Sequence, residues 1–165
     1  MSRGKVTKQR TQFGNQLIDN LKKLNKATAS YGYFSEQGIH QDSGMKYAEL
    51  MHLHEVVGVV SGGGLVQRRP FEIALMRNTG TMSREISQHL KGYLKGVYSL
   101  DGMLSQSAKY GVDITKAIFG DTSQLPSNRP ATIAKKGRNE PLVDTGDLVN
   151  NMAYKTSVNK IARKP

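Results

Sequence analysis

Apolar residues in this 165-residue chain recur at two different periods, and the switch between them limits the fold more than any other feature. Phe13, Leu17, Leu21 and Leu24 fall at spacings of 4, 4 and 3, the stripe of an amphipathic helix. Thr11 is placed to cap it, and Lys22, Lys23 and Lys26 suit the negative end of its dipole. The same period predicts a long helix through Met82, Ile86, Leu90, Tyr93/Leu94 and Val97. Another follows, with Asp101 as cap and Leu104, Ala108, Gly111/Val112 and Ile118 on one side. A helix over about 45–57 carries Tyr47, Leu50, Met51 and His54 on its apolar face, and a short one is expected over 71–78. The period becomes two at Ala29, Tyr31 and Tyr33, and again at Met152, Tyr154, Thr156 and Val158. Those two runs read as strands that pair with each other.

The expected class is therefore α+β: a small, mainly antiparallel sheet packed with several helices, in a single domain over 11–158. A basic arm (1–10) precedes it and a basic tail (159–165) follows. Residues 58–64 hold four glycines and read as a hinge. The chain then reads as extended up to Pro70, because the residue before a proline avoids the α region. Residues 120–141, with Pro126, Pro130 and Pro141, read as a long irregular loop before the C-terminal strand.

Charge is distributed unevenly. The chain carries +11 overall, yet residues 1–26 hold +6, residues 129–165 hold +5, and the centre is neutral. An excess of this kind fits a polyanionic partner, either nucleic acid or an acidic protein ring. No run approaches 18 apolar residues and the first residues lack a signal-peptide core, so a soluble protein away from membranes is expected. The absence of cysteine excludes disulfides, thiolate metal sites and a cysteine nucleophile.

Catalytic patterns are missing. Gly4-Lys5 is the only Gly-Lys step, Gln67 breaks the dinucleotide pattern begun by Gly62-Gly63-Gly64, and no nucleophile elbow occurs. His52 and His54, with Glu55, Glu49 and His40 near, are the best metal candidates. Residues two apart on a helix diverge, however, so the two imidazoles would not share an ion. Asp144 and Asp147 form the closest carboxylate pair and read better as turn or capping residues near Gly146. Neither an enzyme nor a cofactor is expected.

Four phrases together resemble a known family. Tyr47-Ala-Glu-Leu-Met-His-Leu-His-Glu-Val-Val-Gly58 is similar to a "YAxxHExG" helix end, and Arg68-Arg-Pro-Phe71 to a "PxRPF" step. Thr132-Ile-Ala-Lys-Lys-Gly137 and Pro141-Leu-Val-Asp-Thr-Gly-Asp-Leu148 are similar to an "ST…RKG…PLIDTGxL" segment, and Tyr154 to the tyrosine of a closing "SIxY" strand. In this order they resemble the tail-completion, or neck, proteins of long-tailed bacteriophages.

The resemblance implies a structural protein of the virion neck or tail, assembled in the host cytoplasm. It implies a homo-oligomeric ring, expected to be a hexamer, that meets the head connector or stopper and the tail tube or terminator proteins around a DNA channel. His54, Glu55, Gly58, Pro70, Phe71, Leu142, Asp144, Thr145, Gly146 and Leu148 would shape the fold. Pro70 would set the chain's exit into a helix and Phe71 would anchor it. Asp144 and Thr145 would bond amides around a turn at Gly146, stapled to the core by Leu142 and Leu148. Arg68, Arg69, Lys135, Lys136 and Arg138 are the candidate contacts to carboxylate or phosphate. Alternatives are a tail-terminator ring capping the tube, a free basic nucleic-acid-binding protein, and, more remotely, a metal hydrolase built on His52 and His54.

Overall fold

A computed structural model describes residues 11–60, 64–158 and 162–163. The fold is α+β. Helix α1 (Gln12–Leu24) starts where Thr11 Oγ1 accepts from Gly14 N at 3.2 Å, as its sequence predicts. Strand β1 (Ala29–Gly32) follows. Helix α2 (Tyr47–His52) continues directly into a π turn over Leu53–Val57. A two-residue hairpin, β2 (Val59–Val60) and β3 (Leu65–Val66), leads to α3 (Pro70–Leu94) and α4 (Leu100–Lys116). Then come α5 (Pro130–Lys136), α6 (Asp147–Asn150), β4 (Ala153–Thr156) and β5 (Ala162–Arg163).

The main sheet is antiparallel in the order β1-β4-β5, with Tyr31 opposite Tyr154. Helix α4 packs on β1, β4 and α3, and the closeness of that packing depends on Gly111. A Cβ there would overlap the Tyr31 ring, so glycine lets the helix backbone settle onto β1. The centre of the core is Met152, Val112 and Thr115, all fully buried, with the Thr115 hydroxyl donating to Gly111 O at 2.9 Å. A second cluster, Tyr93, Met103 and Leu104 with Leu24 and Leu90, joins α1 to the far end of α3 and α4.

Several elements differ from their sequence expectation. The short helix and the long helix are one 25-residue helix, α3, running through Thr79, Gly80 and Thr81. Glycine lowers helix propensity by about 1 kcal/mol, which α4 packing along the rod outweighs. Val97 lies beyond its end. Ser99, not Asp101, caps α4: its Oγ accepts from Gly102 N at 3.0 Å, while Asp101 accepts from Thr156 Oγ1 at 2.8 Å. Strand β1 ends at Gly32, before Tyr33. The 120–141 segment contains α5, which starts with a proline at its first turn and stops at a left-handed Gly137. Within the expected tail, Ala162–Arg163 pairs with Ala153–Tyr154 as an edge strand, and the rest of 159–165 lies outside the described residues. The N-terminal arm lies outside the described residues.

Candidate functional site: a cleft built by the four motifs

The π turn sends two adjacent side chains in opposite directions. Inserting one residue into a helical ladder re-aims its side chains, which is why such turns recur at functional sites. Glu55 faces α3, where Oε2 accepts from Phe71 N at 3.3 Å and Oε1 from Glu72 N at 2.9 Å. Pro70 has no N–H to offer, so the carboxylate takes the first amides left free at that helix end. Burial raises the Glu55 carboxyl above its ordinary range, against the pull of those two amides.

His54 faces the other way, into a cleft of about 220 Å³. Its walls are Leu50, Leu142, Val143 and Leu148, and its rim includes His40, Asp144 and Asp147. Burial, followed by the nearby Arg68 charge, depresses the His54 pKa to about 4, so the ring is neutral at pH 7. Its Nδ1, and Nδ2 of Asn128 in the same cleft, are buried without a hydrogen-bond partner.

Arg68 crosses beneath the cleft. Its Nε donates to Pro126 O at 3.0 Å, one terminal nitrogen donates to Ser127 O at 3.1 Å, and the same nitrogen reaches Asn128 Oδ1 at 3.5 Å. At 8 % exposure it is a clamp between the α3 entry and the 126–128 loop, not the accessible contact expected of it. Lys136 is also internal: its side chain is 12 % exposed, Nζ donates to Glu140 O and Val143 O, and Asp144 Oδ1 lies 3.8 Å away. Both cations are spent on backbone carbonyls, because a charge drawn in from solvent is costly to keep without hydrogen bonds. Arg69, Lys135 and Arg138 do face solvent, with Arg69 paired to Glu72 at 2.9 Å and Arg138 to Glu140 at 3.0 Å.

The Pro141–Leu148 turn closes the cleft. Pro141 is fully buried and accepts from Gly120 N at 2.9 Å. Leu142 has φ +62°, a left-handed conformation that is strained for leucine, and packs against two core clusters that hold it there. Gly146, at φ +85°, opens α6. Thr145 Oγ1 accepts from Asp147 N at 3.3 Å, whereas Asp144 is directed to Lys136 rather than to turn amides. Gly58, at φ +88°, ends the π turn against Gln67.

Asp147 organises a network that sequence reasoning does not find. Tyr47 OH donates to Oδ2 at 2.6 Å and Asn151 Nδ2 to Oδ1 at 2.6 Å. His40 Nε2 stands 3.8 Å from Oδ2, and its Nδ1 faces Ser43 Oγ at 3.1 Å and Ser43 N at 3.3 Å. This is the composition of a hydrolytic trio, but 3.8 Å is longer than a hydrogen bond and the Ser43 contacts close a local turn. Burial, with Tyr47 and Asp147 alongside, drives the nearby Tyr33 phenol well above its ordinary value, and its OH donates to Leu148 O at 2.5 Å. The available signal was Tyr47 itself, since a tyrosine on a buried helix face needs a partner for its hydroxyl.

His52 lines a different cleft, with Tyr31, Glu55 and Phe71, so the two histidines are separated as their spacing predicts. Among the described residues no three potential ligands gather to hold a metal ion. Comparison with protein-family models, characterised proteins and solved structures finds no match for the chain.

Proposed function

We propose that this chain is a structural protein of a tailed bacteriophage, a tail-completion ring in the neck that joins tail to head connector around a DNA channel. One observation carries the reading. Four motifs recognised separately, at 47–58, 68–71, 132–137 and 141–148, fold into one mutually bonded unit. Glu55 caps the helix that Pro70 and Phe71 begin, and Lys136 holds the turn that Leu142 shapes. Arg68 N also donates to His54 O at 2.9 Å, tying the second motif to the first. Such a unit would present surfaces to neighbouring subunits.

The proposed mechanism is assembly. Basic surface outside the unit would meet acidic neighbours in the neck or passing DNA. The test is the mass of the purified chain at moderate salt by light scattering, with electron microscopy of the particles. A closed ring is expected.

A second reading, a free nucleic-acid-binding protein, is favoured by Arg77, Arg84 and Lys91. These exposed cations stand at heptad spacing along one side of α3. A monomer that binds duplex DNA with a steep salt dependence would replace the ring reading with this one.

A further inference from the structure

A second cleft lies on the Glu55 side of the π turn, away from His54. It holds about 220 Å³, space for one small group rather than a drug-sized molecule. Tyr31, Tyr33 and Phe71 line it together with Glu55. The Phe71 ring stands 6.0 Å from Tyr31, centroid to centroid, and 6.2 Å from Tyr33, which it meets edge-on at 82°. The three rings are therefore one connected cluster whose planes differ. Gly32, buried at the end of β1 with φ +131°, lies against it: a Cβ there would stand 3.4 Å from two Phe71 ring atoms. Both tyrosine hydroxyls are engaged elsewhere, Tyr33 donating to Leu148 O at 2.5 Å and Tyr31 hydrogen-bonded with the Thr115 side chain. What the tyrosines offer the cleft is ring carbon.

The charged group among these rings is the Glu55 carboxylate. Each of its oxygens accepts one amide of α3, which leaves lone pairs on both. Arg69, the cation that acts on it, is engaged by Glu72 and Gln67 instead. Burial holds the Glu55 carboxyl above its ordinary range, the mark of a negative charge that its surroundings underserve. A carboxylate beside aromatic rings attracts an organic cation, because the ring faces are themselves negative. Hydrogen bonding decides which cation. A primary ammonium or a guanidinium brings several N–H donors, and aromatic walls give them no acceptor. A quaternary ammonium has no N–H to satisfy, and its methyl groups pack on ring carbon while carrying the charge.

We infer that this cleft binds a small quaternary ammonium cation, a solute of choline size, with Glu55 as counter-ion and Tyr31, Tyr33 and Phe71 as walls. Glu55 then has two tasks. Its inner lone pairs cap α3, and its charge holds the cation. The cation touches β1, the π turn and the start of α3 at once, so it stabilises the folded chain in proportion to its concentration. The site is independent of whether the chain forms a ring.

The probe is choline chloride, titrated into the full-length chain and followed by the ring resonances of Tyr31, Tyr33 and Phe71 in NMR. Its control is the alcohol in which carbon replaces the choline nitrogen, equal in shape and uncharged. Choline is expected to move those resonances saturably and to bind about tenfold tighter than the alcohol, with methylammonium weaker than choline. Glu55→Gln keeps an acceptor for α3 and is expected to abolish the preference for choline over the alcohol. Val56→Lys places a cation on the exposed rim and is expected to weaken choline binding; it decides the question if Glu55→Gln departs from the wild-type circular dichroism spectrum. Resonances that do not move, an alcohol that binds as tightly as choline, or methylammonium that binds more tightly each overturn the proposal. Phosphatidylcholine vesicles are expected to leave the chain in the supernatant. Sedimentation with them overturns the free solute as ligand and assigns the same group to a lipid headgroup.

Discussion

Replacing Arg68 by methionine removes a charged donor from three acceptors while keeping an unbranched apolar stem of similar length. Hydrogen bonds from a charged group contribute about 1.5–3 kcal/mol each, and the part-exposed acceptors recover some of that from water. The contributions here do not add, because Pro126 O, Ser127 O and Asn128 Oδ1 belong to one short loop that relaxes as a unit. A net loss of about 2–4 kcal/mol is expected, a fall in Tm of roughly 5–15 °C for a domain of this size. The same change takes a positive charge away from His54. Burial, the larger cause, stays, so the imidazole pKa rises from about 4 yet remains below its ordinary value. Urea unfolding at fixed protein concentration reads the first effect, and an NMR titration of the His54 ring reads the second. Arg68→Lys retains the charge but cannot reproduce the planar fork, so it falls between wild type and Arg68→Met in stability. Arg68 does not act as a clamp if Arg68→Met unfolds within about 0.5 kcal/mol of wild type, the ordinary range of a surface change, and His54 titrates unchanged.

Three further outcomes are expected. Gly111→Ala drives a methyl into the Tyr31 ring and costs about 1–3 kcal/mol, whereas Gly80→Ala, whose Cβ meets nothing, stabilises α3 by up to about 1 kcal/mol; paired thermal melts decide. Glu55→Ala frees the Phe71 and Glu72 amides and costs about 1–2 kcal/mol, and Glu55→Gln, which keeps an acceptor, costs less; hydrogen exchange in the first turn of α3 reports the fraying. The unfolded chain protonates His54 near pH 6.5 and the folded chain only near 4, so between those values the unfolded state holds more protons. Stability is complete above 6.5 and is lost as pH falls toward 4, by about 1–3 kcal/mol for a partly open ring. His54→Asn, compared over the same range in urea, flattens that slope.

Local features of this chain are legible because their causes lie within one turn. Thr11 caps α1 through an amide three residues on. Pro130 and Gly137 bracket α5 for the same kind of reason, although three prolines within 120–141 disguise it as an irregular loop. The pairing of β1 with β4 follows from period-two patterns with tyrosines in matching places. The separation of His52 from His54 follows from helical geometry alone.

What the sequence by itself determined is therefore the α+β class, the identity of most elements and the residues of the four motifs. Each of these follows from periodicity and short-range stereochemistry. Tertiary structure alone decided what the motif side chains do. Arg68 and Lys136 have the composition of surface contacts, and they became internal clamps because carbonyls 58 and 7 residues away demanded donors. The two halves of α3 became one rod because α4 packs along them.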